Sequence, residues 1–123
     1  MTDTPATVTL YGIRNCDTCR RAWKWIEDQG IDYRFHDLRR DGLDARRVEA
    51  WCARLDTDTL INRRGQTWRR LSPEDQERDE AGLRALLIDE PMLIKRPVIE
   101  TPDGGVYVGW NETVQKVLSQ WYG

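Results

Sequence analysis

The segment from Val8 to His36 constrains the fold more than any other part of this chain. Val8-Thr9-Leu10-Tyr11 alternates in the way a strand does. Gly12 to Asn15 has the composition of a turn. From Cys16 or Thr18 the period changes, and Cys19, Ala22, Trp25 and Ile26 recur at helical spacing out to about Gln29. Gly30 follows where a left-handed C-terminal cap is wanted. Ile31 to His36 then reads as a second strand with Tyr33 and Phe35 on one face. A strand, a helix and a strand this close together make a crossover unit whose strands lie parallel in one sheet.

The remainder divides into a helical stretch and a second sheet-forming half. Asp41-Gly42 is a break. Val48, Trp51, Cys52 and Leu55 form an apolar stripe that predicts a helix from Asp44 to about Leu55. Thr57 to Arg70 is short-range and mixed, and Ser72-Pro73-Glu74-Asp75 is a helix start with Ser72 as cap. That helix is expected to break near Arg78 to Gly82 and resume through Leu83, Leu86 and Leu87. Pro97 opens a third strand at Val98-Ile99, Pro102-Asp103-Gly104-Gly105 is a hairpin turn, and Val106-Tyr107-Val108 is a fourth strand antiparallel to the third. Asn111 caps a last helix with Val114, Val117, Leu118 and Trp121 on its stripe. The order β-α-β, helices, β-β-α is that of an α/β, thioredoxin-like fold: a mixed four-stranded sheet with a helical insertion at about 43–92 between its halves. At 123 residues the chain is expected to be a single domain, 1–123, large enough for a hydrophobic core without staples.

Composition narrows the function classes. Nothing approaches the ~20 apolar residues of a membrane span. Met1 to Ala6 has neither a basic region nor an apolar stretch, so no secretory leader and a cytoplasmic location are expected. A net charge of −2 argues against non-specific nucleic-acid binding, which needs phosphate neutralisation. The arginine doublets Arg20-Arg21, Arg39-Arg40, Arg46-Arg47 and Arg69-Arg70 read as solvated surface. Three cysteines without a leader do not describe a secreted disulfide scaffold.

Cys16 is the first candidate for chemistry. It stands where a turn enters a helix, and the unpaired N–H groups there favour thiolate, the reactive form. Arg14, Arg20 and Arg21 add positive charge nearby. Cys19 lies one turn deeper on the same face, within reach of Cys16 to close a disulfide as a resolving thiol. The competing reading is that it packs, since it shares the stripe of Ala22 and Ile26. Cys52 reads as a small hydrophobe mid-helix. Zinc would need four ligands, and only Cys52 and His36 could complete the set; each has a structural explanation, so no metal is expected. His36 is also the sole histidine, which argues against a Cys-His hydrolase. The Arg96–Pro97 bond is of the type that can be cis.

Five separated motifs occur in order: Tyr11-Gly12-Ile13-Arg14-Asn15-Cys16-Asp17-Thr18, Arg34-Phe35-His36-Asp37, Asp41-Gly42-Leu43-Asp44, Leu60 through Arg69, and Ile94-Lys95-Arg96-Pro97. Together they resemble the arsenate reductase (ArsC)-like family, in particular its YffB-type reductases, with the regulator Spx as a cousin. The resemblance implies a thioredoxin-like fold and Cys16 as nucleophile. It implies that Arg96 and a second arginine, Arg64 with Arg63 as the alternative, lower the Cys16 pKa and hold an anionic group. It also implies a cis Pro97 facing the nucleophile, with Asn15, Arg63 and Pro97 on the substrate side. No cofactor is expected to be bound; glutathione is the implied co-substrate, and a small thiol or a protein disulfide the partner. The third arginine of the arsenate reductases would fall near Gly109, and Cys19 is present where they lack a second cysteine. Both departures move the expectation from arsenate to thiol–disulfide chemistry. In the Spx-like alternative, a Cys16–Cys19 switch would act by binding RNA polymerase.

Overall fold

In a computed structural model, which describes residues 7–121, five residues of alternating character form β1, Val8–Gly12. Met1 to Ala6, the segment read as lacking a leader, lies outside the described residues. The helix that follows, α1 (Asp17–Asp28), ends as its glycine foretold. Gly30 takes φ +74°, its N–H reaches the Glu27 carbonyl at 3.0 Å, and the Ile31 N–H reaches that of Ile26 at 3.2 Å. Ile31 is buried behind this cap and precedes β2, which runs Tyr33–Asp37 rather than from Ile31.

Strands β1 and β2 pair in parallel, Val8 against Tyr33 through Gly12 against Asp37. β3 (Val98–Glu100) pairs antiparallel with β1, and β4 (Val106–Val108) antiparallel with β3. The sheet order is β2-β1-β3-β4. This mixed sheet with its β-α-β and β-β-α halves is the thioredoxin-like arrangement expected from the sequence. Thr101 closes the β3–β4 hairpin, its N–H bonding the Gly105 carbonyl at 3.0 Å. The last helix, α8 (Glu112–Leu118), is capped by the Asn111 side chain, which accepts from the Val114 N–H at 3.0 Å.

The chain resolves into two units. The first, Met1–Asp37 with Arg96–Gly123, contains the sheet, α1 and α8. Its core is Val8 and Leu10 from β1, Ala22 and Ile26 from α1, Ile31, Ile99 from β3, and Val114 and Leu118 from α8. Full burial of one such aliphatic side chain contributes about 1.5–3 kcal/mol.

The second unit, Leu38–Lys95, is helical. It opens with a one-turn helix, α2 (Leu38–Asp41), which the sequence pattern did not show; Gly42 ends it at φ +68°. α3 (Ala45–Cys52) is capped by Asp44 and stops before the expected Leu55, because the Arg54 and Leu55 N–H groups both turn back to the Trp51 carbonyl. Cys52 therefore ends its helix, half-buried, and is not mid-helix. The mixed stretch holds two single turns, α4 (Thr57–Leu60) and α5 (Gln66–Arg69). α6 (Pro73–Gln76) begins under the Ser72 cap, and after the expected break α7 (Glu80–Asp89) begins under Asp79. α7 buries Leu83, Leu86 and Leu87 and packs against α3, α4, α6 and a 3₁₀ turn at Pro91–Leu93.

Candidate active site

The sheet ends at Gly12, and the chain must turn before α1 can start. It does so over Ile13, whose carbonyl takes the Cys16 N–H at 3.3 Å. Cys16 has extended backbone, φ −102° and ψ 120°, and is the N-cap; its own carbonyl receives the first helical bond, from Arg20, at 2.9 Å. As a thiol it makes no side-chain capping bond. Burial on its own would raise the Cys16 pKa. The Cys19 and Thr18 amides, the Cys19 thiol and the Arg96 guanidinium outweigh that burial and hold it below its ordinary value.

Cys19 has the opposite character. It is fully buried with Ala22 and Ile26, and burial together with the neighbouring Cys16 pushes its thiol up to about 12. Both sulfurs are free thiols. Cys19 packs on the helix stripe, as one of its two readings had it.

Arg96 reaches Cys16 through strand register. Tyr11 pairs with Val98, so the two residues before Val98 run alongside the end of β1 where the cysteine loop begins. The Arg96–Pro97 bond is cis. The Pro97 carbonyl accepts the Gly109 N–H at 2.8 Å, and Gly109 sits at φ +89° with nothing within 4 Å of where its Cβ would be. Position 109 thus has room for a side chain, but a backbone that strains any residue except glycine.

Two of the basic sequence neighbours of Cys16 have partners of their own. Arg14 lies over the Phe35 ring at 5.0 Å. Arg20 pairs with Asp17 at 3.6 Å and donates to the Arg14 carbonyl at 3.0 Å, and Arg21 is exposed. Arg96, far along the chain and named through the resemblance, is an arginine whose charge lowers the Cys16 pKa. Asn15 is exposed immediately before Cys16. His36, opposite in facing to Tyr33 and Phe35, packs on the Tyr11 ring at 4.9 Å.

Arg63 and Arg64 belong to the second unit, in the turn from Asn62 to Gly65. There the Asn62 side chain accepts the Arg64 N–H at 3.3 Å. Arg63 is committed: it pairs with Asp58 at 2.5 Å and lies over Trp68 at 4.5 Å. Among the described residues no side chain pairs with the Arg64 guanidinium. Arg63, Arg64 and Lys95, with Asp58, Ile61 and Asn62, line a pocket of about 400 Å³. Lys95 was not singled out from the sequence, although it stands beside Arg96 in the same motif. Among the described residues no group of three or more His, Cys, Asp or Glu is arranged to hold a metal ion. No helix of the described residues is long and apolar enough to cross a membrane.

Comparison with known proteins gives one family. The ArsC family profile matches residues 11–117. An uncharacterised protein of Haemophilus influenzae is 40% identical over 106 residues, covering 85% of this chain and 92% of its own. The global transcriptional regulator Spx of Staphylococcus epidermidis is 27% identical over 107 residues, covering 85% and 81%. Among solved structures, a YffB protein superposes with TM-score 0.83 at 33% identity, over 94% of this chain and 99% of its own. An arsenate reductase (ArsC) related protein of Brucella melitensis superposes with TM-score 0.74 at 38% identity, over 97% and 99%. The cysteine loop and the Arg96–Pro97 segment both lie within the matched span, and on these grounds the chain belongs to the ArsC family.

Proposed function

We propose that this protein is a cytoplasmic thiol-dependent reductase that uses Cys16 as nucleophile and glutathione as co-substrate. The observation that carries this reading is the set of groups that favour a Cys16 thiolate: the Thr18 and Cys19 amides at the start of α1, the Cys19 thiol, and Arg96. The Cys16 thiolate attacks one sulfur of a substrate disulfide, a Cys16–S–S–R bond forms, and the other half leaves as a thiolate that takes a proton from water. Cys19 resolves this intermediate, and two glutathione molecules return the resulting disulfide to the dithiol. Arg96 stabilises the thiolate. Arg64 binds an anionic group of the substrate, a choice supported by the engagement of Arg63 with Asp58 and Trp68. Asn15 and Pro97 line the approach to the sulfur. Each charge-assisted bond to the anion contributes about 1.5–3 kcal/mol. A glycine at 109, where the resemblance implies an anion-holding arginine, favours disulfide over arsenate as the substrate class.

Steady-state reduction of a model disulfide by glutathione tests this reading. Cys16→Ser is expected to fall to the uncatalysed rate, and Cys19→Ser to accumulate glutathione on Cys16, visible by mass spectrometry. Full turnover by Cys16→Ser would overturn it. The Spx relatives favour one second reading, a regulator whose Cys16–Cys19 pair controls binding to RNA polymerase. Oxidation-dependent retention on RNA polymerase without disulfide turnover would support that reading instead.

A further inference from the structure

The residues just before Cys16 act on Cys19. A Cβ placed on Gly12 would fall on Cys19 Sγ, closer than the 3.0 Å that real Cβ atoms observe, and 3.3 Å from Cys19 Cβ. The Cys19 sulfur therefore fills the volume that any side chain at position 12 would claim. The Ile13 amide and the Cys16 side chain both bear on the titration of the same sulfur. We propose that Gly12 and the Ile13 amide form a notch that seats Cys19 as the resolving thiol, and that Gly12 is a positioning residue for the second half of the reaction. This inference rests on the reading of Cys16 as nucleophile.

The notch also sets the order of events. While Cys16 is a thiolate, its charge and its hydrogen bond from the Cys19 S–H keep Cys19 protonated. Once Cys16 is capped as Cys16–S–S–R, both influences are gone. Burial remains and still raises the Cys19 pKa, but the Ile13 amide and the Arg96 charge, which favour thiolate, then act without opposition from Cys16. Cys19 then loses its proton to a solvent base and attacks the Cys16 sulfur. The Cys16–S–R bond breaks, and R–S⁻ leaves with the electron pair. The dithiol has been oxidised to a Cys16–Cys19 disulfide and the substrate disulfide reduced to two thiols, in a balanced two-electron exchange.

The test is single-turnover reaction with dithiobis(nitrobenzoate), an aromatic disulfide, in a Cys52→Ala background so that only the pair reports. The first thionitrobenzoate released marks attack by Cys16 and the second marks resolution by Cys19. Gly12→Ala is expected to slow the second release relative to the first by about tenfold or more, since a displacement near 1 Å costs up to about a hundredfold in such alignments. Its pH profile is expected to move with it. A wild-type ratio of the two rates in Gly12→Ala would overturn the proposal. Thermal unfolding supplies the second measurement. Adding Cys19→Ala to Gly12→Ala removes the sulfur that the new methyl meets, and is expected to recover the stability lost by Gly12→Ala alone; no recovery would overturn the notch. Absence of a first release in the parent protein would overturn the nucleophile reading, while the stability comparison would still decide the notch.

Discussion

Thr57 carries a buried hydroxyl shared by three side chains. It donates to Glu80 Oε1 at 3.2 Å, accepts from Arg84 Nε at 3.4 Å, and meets Cys52 Sγ at 3.6 Å. With the Thr57 proton on Glu80, the Cys52 S–H is the donor in the last contact. This explains why Cys52 ends its helix half-buried against a polar neighbour. Thr57→Val keeps the shape but leaves these groups without the oxygen, so it is expected to cost about 1–2 kcal/mol in urea unfolding. Thr57→Ser, which keeps the hydroxyl, is expected to retain most of that stability. Equal losses in the two variants would show that packing rather than the hydroxyl matters. At this scale the sequence made Cys16 legible, because a helix start is a local feature. Arg96 was legible only through the family resemblance, because it is far along the chain and the pairing of β3 with β1 brings it alongside the cysteine loop.

Elements were legible where a capping residue marks them. Asp44, Ser72, Asp79 and Asn111 each accept a backbone N–H at a helix start, and Gly30 ends α1 as its position implied. Elsewhere the pattern gave α1 without a capping bond but misjudged the end of α3 and missed α2. The apolar stripe through Leu55 outran α3, because Ala53 to Leu55 continue as turns that leave Leu55 half-buried outside the helix. α2 was missed because a single turn, Leu38–Asp41, offers too few residues for a period to show. The caps also give a prediction at this scale. Asn111→Ala leaves the Val114 N–H without its acceptor and is expected to cost about 1 kcal/mol, read as a lower denaturation midpoint at unchanged slope. Asn111→Asp should keep nearly full stability. A loss in Asn111→Asp as large as in Asn111→Ala would contradict the capping role.

For the whole molecule, the sequence showed the order of elements and hence the sheet, since one parallel crossover and one hairpin leave little freedom in joining four strands. It did not show that the chain gathers into two units, with Cys16, Cys19 and Arg96 in one and Arg63 and Arg64 in the other. The thiolate is a product of the folded chain: the α1 amides are local to Cys16, but Arg96 comes from the other half of the sheet-bearing unit. The most direct test of the account is the pH dependence of Cys16 alkylation by iodoacetamide, with the modified residue identified by mass spectrometry. Thiolate forms as pH rises, so a lowered pKa places the midpoint below the ~8.5 of a free cysteine. Arg96→Gln removes one of the lowering charges and is expected to move that midpoint upward. A Cys16 midpoint at or above that of free cysteine, unmoved by Arg96→Gln, would contradict the claim that this site is built around an activated thiolate.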